Sequence, residues 1–207
     1  MLGHELRNPL APILTALQLM QLRADEVFTR ERDAIERQVK HVVRLVDDLL
    51  DVSRITQGKV ELDRRPVELA DAVVRAIEFA SPLIEQRNHT LSVDVAPHGL
   101  LVLADQTRLT QIVANLLTNA AKYTDPHGRI ELSALGDGDE VVVRVRDNGV
   151  GVSPEILPNL FDSFVQGRRT IDRSEGGLGL GLAIVRSLVS LHGGRVAVRS
   201  DGIGCGS

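Results

Sequence analysis

Two asparagines four residues apart on a predicted helix carry the first chemistry that the sequence offers. Residues 105–124 read DQTRLTQIVANLLTNAAKYT, and their apolar side chains recur at helical spacing, with Asp105 placed as the N-cap. Asn115 and Asn119 therefore share one face of the helix. Buried carboxamides are costly unless they are partnered, so they indicate either a hydrogen-bonded structural pair or oxygen ligands for a hydrated magnesium ion. Lys122 follows three residues later and could reach the same anion.

Two glycine-rich segments follow this helix. One is DNGVG at Asp147–Gly151, and the other is GGLGLGL at Gly176–Leu182, which opens a predicted helix. Backbone amides at a helix start, approached closely where glycine has no side chain, form a phosphate cradle. A Rossmann dinucleotide site is excluded because no strand precedes Gly177 and the GxGxxG spacing fails at Leu182. A Walker A loop is excluded because its Gly-Lys-Ser/Thr ending is missing.

A histidine near the start of the chain lies on the exposed face of a predicted amphipathic helix. The apolar seam of that helix steps by fours and threes through Leu2, Leu6, Leu10, Ile13, Leu17 and Met20. His4 is placed about 200° around the helix from the seam, so it points to solvent. It is either an ordinary surface histidine or a nucleophile that a separate domain can reach. Glu5 could hydrogen-bond one ring nitrogen and set the tautomer.

Five motifs in this order carry a family resemblance that covers nearly the whole chain. They are HELRNPL at His4–Leu10, the asparagine helix, DNGVG, FDSF at Phe161–Phe164 and GGLGLGL. In sequence order they resemble the H, N, G1, F and G2 boxes of two-component sensor histidine kinases. The resemblance implies a protein that binds ATP and Mg²⁺.

The resemblance also implies a role for each candidate residue. His4 accepts the phosphoryl group and Glu5 is the general base. Asn119 binds magnesium with Asn115 beside it, and Lys122 meets the phosphates. Tyr123 packs near the base, and Asp147 accepts a hydrogen bond from the adenine amino group. The glycines of the two nucleotide-binding boxes are Gly149, Gly151, Gly177, Gly179 and Gly181. Phe161 and Phe164 help to anchor a lid formed by residues 166–176, although ordinary core packing is the alternative for both rings.

Two domains of different fold are predicted along the chain. Residues 1–60 form an antiparallel helical hairpin, whose second apolar seam runs through Ile35, Val39, Val42, Val46, Leu49 and Val52. One hairpin cannot bury such a stripe, so we expect a homodimer built around a four-helix bundle. Residues 65–207 form an α/β sandwich of the Bergerat ATP-binding type, which makes the fold class α+β and multidomain.

Within the sandwich the sequence predicts individual elements. Strands are expected at 67–69, 90–95, 100–104, 129–134, 140–146 and 195–199, and helices at 70–86, from Asp105 to Thr124 and at 179–192. A short helical turn is expected at 153–157 with Ser153 as its cap. The family has one more strand after Arg199, so we expect the last strand to be missing from this chain.

Composition restricts the remaining classes of function. The net charge of −4 argues against a nucleic-acid footprint, and the single Cys205 rules out an internal disulfide. Aromatic residues make up only 2% of the chain, so the core must be aliphatic. No apolar run is long enough to cross a bilayer, so this fragment of a longer protein is expected to make no membrane contact and to be cytoplasmic.

The expected function is ATP-dependent autophosphorylation of His4 and transfer of the phosphoryl group to an aspartate of a response-regulator receiver domain. The regulator is expected to dock along the exposed stripe that includes Ala11 and Thr15. Glu5-x-x-Asn8 matches the phosphatase pattern of the family, so a protein that is mainly a regulator phosphatase, with Asn8 orienting a water, is one alternative. A Bergerat-fold ATPase that acts as a conformational switch is another. The sequence leaves open whether His4 is phosphorylated in cis or in trans.

Overall fold

The computed structural model describes residues 60–165 and 178–207 continuously. In the first 59 residues it describes only positions 12, 13, 15, 19, 35, 38, 39, 42, 45, 46 and 49–53. His4, Glu5, Asn8, Ala11 and Gly177 lie outside the described residues, as does the whole of the predicted lid at 166–176. The expectations for those residues therefore stay predictions.

The described N-terminal positions are helical and follow the predicted faces. Thr15 is exposed and Ile13 is half-buried, as the helical wheel requires. On the second helix, Val46 of the predicted seam is 42% exposed in the single chain, whereas Leu45 beside it is only 3% exposed. The two neighbours thus lie on different faces. Val39 and Val46 of the seam are exposed, whereas Val42 and Leu49 are half-buried.

The C-terminal region, residues 60–207, alternates strands and helices. Its elements are β1 (Arg65–Glu68), α1 (Leu69–Gln86), β2 (Thr90–Asp94), β3 (Leu101–Ala104), α2 (Gln106–Tyr123), β4 (Arg129–Asp137), β5 (Glu140–Asp147), a 3₁₀ helix (Leu157–Asn159) and α3 (Gly181–Leu191). None of the helices in the part of the chain that the structure describes is long and apolar enough to span a bilayer.

The strands form two small sheets. β1 pairs with β3 in an antiparallel ribbon, while the other sheet has the order β2-β4-β5. β2 runs parallel to β4, with Leu91 opposite Ile130, and β4 runs antiparallel to β5, with Leu132 opposite Val145. Gly138, with φ +60°, opens the two-residue loop between β4 and β5, where the right-handed twist of the strands favours positive φ.

The main core lies between the larger sheet and the helices α1 and α2. Alternate residues of β4, Ile130 and Leu132, point inward and are almost fully buried. They meet Val113 and Leu117 of α2 and the buried face of α1. This cluster, which we call the sheet core, is entirely aliphatic, as the scarcity of aromatic residues predicts.

A second cluster lies on the opposite side of α2. Ile112 of α2 packs there against residues near the start of α3, namely Leu178, Leu180, Ile184, Val185 and Leu188. Leu45, from the second helix of the N-terminal region, completes the cluster. We call it the shared core, because residues far apart in the chain complete it. It packs the start of α3, where the GGLGLGL segment ends, against α2.

Most of the predicted elements are confirmed, and four details are wrong. β4 extends to Asp137, three residues beyond the prediction, because the pairing with β5 continues to the tight turn. The short helix is a 3₁₀ turn at Leu157–Asn159 without a side-chain cap, so Ser153 does not cap it; its carbonyl accepts the amides of Ile156 and Leu157 instead.

The other two corrections fall near the C-terminus. α3 begins at Gly181 and not at Gly179, because Gly179 has φ +72° and cannot be part of a right-handed helix. Residues 195–199 are not a strand, because alternation alone does not make one without a partner ladder. The end of β5 is instead bonded to the last residue, with the Asp147 amide donating to the Ser207 carbonyl at 2.9 Å.

Candidate functional site

Helix α2 carries four of the predicted site residues, namely Asn115, Asn119, Lys122 and Tyr123. Asp105 caps its start as predicted, since the carboxylate accepts the amides of Thr107 at 2.9 Å and Arg108 at 3.1 Å. The buried side chains of this helix fix its rotation. Asn115 and Asn119 consequently lie half-buried on the side that faces the start of α3.

The two asparagines meet the N-terminus of α3. The Asn115 side-chain amide donates to the Gly181 carbonyl at 3.4 Å, and a Cβ added to Gly181 would lie 3.7 Å from the Asn119 amide nitrogen. Leu180 occupies the N-cap position and supplies no side-chain bond to the first turn. The carboxamides and the amides of a helix start therefore converge, and that arrangement suits an anion held beside a cation.

A magnesium ion fits the donor set at this point. Within the described residues the Asn119 carboxamide makes no hydrogen bond, so its oxygen is available as a ligand. No group of three or more His, Cys, Asp or Glu side chains that could hold a metal ion occurs among those residues. The ion would therefore rely on carboxamide oxygens, phosphate oxygens and water, which is a set that Mg²⁺ accepts.

Backbone contacts join the FDSF segment to the glycines before α3. The Phe164 amide donates to the Gly179 carbonyl at 3.1 Å, and a Cβ on Gly179 would lie 2.7 Å from the Val165 carbonyl oxygen. Gly179 is thus required both by its positive φ and by this close approach. Phe161 is half-buried and Phe164 is exposed. Main-chain bonding, more than the two rings, holds together the two ends of the predicted lid.

Asp147 is the last residue of β5, just before the Gly149–Gly151 turn. One of its carboxylate oxygens accepts the Gly149 amide at 2.8 Å, and the other accepts the Ser207 hydroxyl at 2.6 Å. A side chain on Gly149 would collide with the Tyr123 carbonyl, and one on Gly151, where φ is +68°, would collide with the Gly202 carbonyl. These close approaches explain why both positions of DNGVG need glycine.

The DNGVG turn is bonded directly to the end of α2. The Val150 amide donates to the Tyr123 carbonyl at 3.0 Å. The Lys122 ammonium lies 5.2 Å from the centroid of the Tyr123 ring, within the range of a cation–π contact. The start of α3 therefore lies beside the middle of α2, while Asp147 and its turn lie at the end of α2.

Sequence reasoning missed Ser207, which holds the Asp147 carboxylate. The two residues are 60 positions apart, and no spacing signal connects them. Gly177 lies outside the described residues. Gly149 and Gly181 lie against α2, whereas Gly151 lies against Gly202 and Gly179 against Phe164 and Val165.

Comparisons with known proteins identify the family of the chain. Residues 104–207 match the family described as histidine kinase-, DNA gyrase B- and HSP90-like ATPase, and residues 1–58 match the His kinase A phospho-acceptor domain. The chain is 34% identical over 211 residues to the autoinducer 2 sensor kinase/phosphatase LuxQ of Vibrio parahaemolyticus, covering 97% of this chain and 24% of that protein. It therefore spans about a quarter of that relative's length.

Two solved structures share the fold. ShkA in complex with AMPPNP has a TM-score of 0.71 at 32% identity, covering 99% of this chain and 42% of that chain. ThkA in complex with the response regulator protein TrrA has a TM-score of 0.67 at 23% identity, covering 98% of this chain and 57% of that chain. Together with the family matches, these likenesses establish that the chain belongs to the two-component sensor histidine kinases and contains their catalytic core.

Proposed function

We propose that this chain binds ATP with Mg²⁺, transfers the γ-phosphoryl group to His4 and passes it to an aspartate of a response-regulator receiver domain. One observation carries the proposal: the Asn115 and Asn119 face of α2 meets the start of α3 at Gly181. A site of this kind combines an oxygen ligand for a cation with backbone amides for phosphate. The AMPPNP complex of ShkA, a relative at 32% identity, supports the same choice of ligand.

Each side chain has a defined task in nucleotide binding. The amides of the first turn of α3 hold phosphate oxygens, and Lys122, three residues after Asn119 on α2, adds positive charge. Asn119, with Asn115 beside it, supplies carboxamide oxygen to Mg²⁺, which neutralises phosphate charge when it is bound. Asp147 accepts a hydrogen bond from the adenine amino group, and the Ser207 hydroxyl and the Gly149 amide fix the orientation of its carboxylate.

The chemistry requires positioning more than covalent work by the protein. An unprotonated ring nitrogen of His4 attacks the γ-phosphorus in line with the leaving ADP oxygen. The new P–N bond forms as the P–O bond to ADP breaks, and Glu5 takes the proton from the other ring nitrogen. An aspartate carboxylate of the regulator then attacks the phosphohistidine, forming an acyl phosphate and freeing the histidine.

The partners follow from the N-terminal part. The exposed Val46 belongs to the predicted seam, so a homodimer would bury it in a four-helix bundle. The regulator docks along the stripe that contains Thr15, which is exposed. The complex of ThkA with a response regulator supports a partner of this class for the shared fold.

Labelling with γ-labelled ATP tests the kinase proposal. We expect acid-labile, alkali-stable label on the parent chain and none on His4→Gln. Equal labelling of His4→Gln would reject His4 as the acceptor. A chain that hydrolyses ATP without ever carrying label would support the ATPase switch instead.

A phosphatase activity is the second candidate, favoured by the Glu5-x-x-Asn8 pattern and by the name of LuxQ as a sensor kinase/phosphatase. Asn8 would orient water against the aspartyl phosphate of the regulator. We expect Asn8→Ala to slow dephosphorylation of a phosphorylated receiver domain while sparing the labelling of His4. Loss of both activities would contradict the role assigned to Asn8.

A further inference from the structure

Two side chains outside every motif bind the C-terminal end of α2. They are Arg87 and His89, from the turn between α1 and β2. The Arg87 guanidinium donates to the carbonyls of Lys122 at 3.1 Å and Thr124 at 3.4 Å. The His89 Nε2 is 2.9 Å from the Ala121 carbonyl. The last carbonyls of a helix have no partners within the helix, and a cation placed there also meets the negative end of the helix dipole.

The remaining carbonyl in this run is bonded to the nucleotide site. Tyr123 presents its carbonyl to the Val150 amide of the DNGVG turn at 3.0 Å. Four consecutive carbonyls, from Ala121 to Thr124, are thus bound in turn by His89, Arg87, Val150 and Arg87 again. We call this arrangement the α2 clamp. It fixes Lys122, Tyr123 and the turn after Asp147 to one another through their backbones.

The histidine of the clamp is buried, and one of its ring nitrogens is unpaired. His89 is only 9% exposed. Because its Nε2 faces a carbonyl, that nitrogen carries the hydrogen, and the other ring nitrogen becomes an acceptor. That Nδ1 atom has no hydrogen-bond partner among the residues that the structure describes. A buried acceptor without a partner destabilises the fold, and this cost opposes the stabilisation that Nε2 provides through its bond to the Ala121 carbonyl.

A neighbouring turn locks the clamp in place. The His127 amide donates to the Arg87 carbonyl at 2.9 Å, and His127 itself has φ +66°. Gly128 follows it, where a side chain would collide with the buried Thr124. The turn between α2 and β4 and the turn between α1 and β2 therefore hold each other at the end of α2.

We propose that Arg87 and His89 are positioning residues for nucleotide binding. They set where Lys122, Tyr123 and the Asp147–Gly151 turn lie relative to Asn119 and the start of α3. The inference rests on the proposed ATP site. Neither residue touches the nucleotide, so their effect falls on affinity for the bound nucleotide more than on the attack by His4.

Matched substitutions test the clamp. His89→Gln keeps an amide nitrogen near the position of Nε2, whereas the shorter His89→Asn cannot reach the Ala121 carbonyl. Arg87→Ala removes its bonds to the Lys122 and Thr124 carbonyls, and Arg75→Ala removes an exposed arginine of α1 as the charge control. Each variant of the full chain is measured for its AMPPNP·Mg²⁺ Kd by calorimetry, its labelling rate at saturating ATP and its Tm without nucleotide.

We expect His89→Asn and Arg87→Ala to raise the Kd about tenfold, because part of the binding free energy is then spent on closing a clamp that has lost a hydrogen bond. The labelling rate at saturating ATP should fall by no more than about threefold. His89→Gln should stay within about threefold of the parent Kd, because it restores the donor. Arg75→Ala should leave the Kd unchanged.

Three results would overturn the proposal. The first is a lower Tm with an unchanged Kd in His89→Asn and Arg87→Ala, since that is the signature of a purely structural role. The second is a His89→Gln variant as weak as His89→Asn, and the third is an equal loss of affinity in Arg75→Ala. Asn119→Ala separates this inference from the site itself: if it too binds normally, the proposed ATP site is wrong, and if it alone loses binding, only the clamp is wrong.

Hydrogen exchange on the unmodified chain covers the case in which a variant does not fold. The Val150 amide donates within the clamp. Its exchange should slow on addition of AMPPNP·Mg²⁺, because a ligand that needs the clamp closed stabilises the closed form. Exchange at Val150 that is unchanged by saturating nucleotide would contradict the proposal.

Discussion

The two faces of α2 differ in what completes them. One face, with Val113 and Leu117, packs into the sheet core, whose members all lie between residues 69 and 145. The other face, with Ile112, packs into the shared core, which includes Leu45 from the second helix of the N-terminal region. The first face needs no residue of the N-terminal region. The second face also holds α3, and because its cluster includes Leu45, its packing changes if the helix that carries Leu45 moves.

A polar network borders the shared core. The Arg108 guanidinium bonds both carboxylate oxygens of Asp51, at 3.1 and 3.0 Å, and the Gln111 side-chain amide donates to Asp51 at 2.7 Å. The Arg108 and Asp51 side chains are only 23% and 15% exposed. Because Gln111 precedes Asn115 by one helical turn, the contact with the N-terminal helix and the candidate nucleotide site lie on the same helix.

Leu117→Ala should give the largest effect, because it opens a cavity in the sheet core. Leu117 is fully buried, so we expect the free energy of unfolding to fall by about 2–5 kcal/mol. Chemical denaturation followed by circular dichroism measures it. A loss below about 1 kcal/mol would mean that the sheet core is not as well packed as its burial indicates.

Leu45→Ala sharpens the comparison, since it is the same leucine-to-alanine truncation in the shared core. Leu45 is almost as well buried, but it belongs to the N-terminal region and the rest of its cluster to the C-terminal region. We expect a smaller loss, about 1–3 kcal/mol, in the unfolding of the C-terminal region. Easier proteolysis between residues 53 and 65 should accompany it. An effect as large as that of Leu117→Ala would remove the distinction between the two cores.

A double-mutant cycle on Asp51 and Arg108 tests the network beside the shared core. Removing one partner leaves the other charge largely desolvated. The free-energy losses of the two single alanine variants should therefore add up to more than the loss of the double variant. We expect a coupling energy of about 1–3 kcal/mol, measured by denaturation. Additive variants would show that the two side chains do not hold the helices together.

The pair of Arg195 and Glu140 provides the small-effect control. The two side chains bond at 2.8 Å, but they are 83% and 55% exposed. Solvent screening limits such a pair, so replacing either residue by alanine should change the free energy of unfolding by less than about 1 kcal/mol. A larger loss would indicate that the segment at 195–199 is packed more firmly than its exposure indicates.

Local signals in the sequence were sufficient for α2, its Asp105 cap and the β4–β5 hairpin. Those features depend on spacing, capping and turn chemistry within a few residues. Leu45, Asp51, Arg87, His89 and Ser207 were missed because their contacts join positions far apart in the chain. Val46 was assigned to the apolar seam, and nothing in the helical period distinguished Leu45 beside it as the residue that enters the shared core.

The expected strand at 195–199 shows the same limit from the other side. Alternation in the sequence describes a face, whereas a strand also needs a neighbour to bond. The asparagines illustrate the opposite case. Their spacing predicted one shared face, and the structure places that face at Gly181, but only the fold could show that a helix start lies there.

The most direct test of the central claim is the magnesium dependence of nucleotide binding. Calorimetry with AMPPNP, with and without Mg²⁺, is compared between the parent and Asn119→Ala, with Asn159→Ala, at an exposed asparagine of the 3₁₀ helix, as the matched control. We expect Mg²⁺ to tighten binding in the parent and the control, and the gain to be lost in Asn119→Ala. If Asn119→Ala keeps the full magnesium gain, the ion is not held on α2, and the site assigned here is wrong.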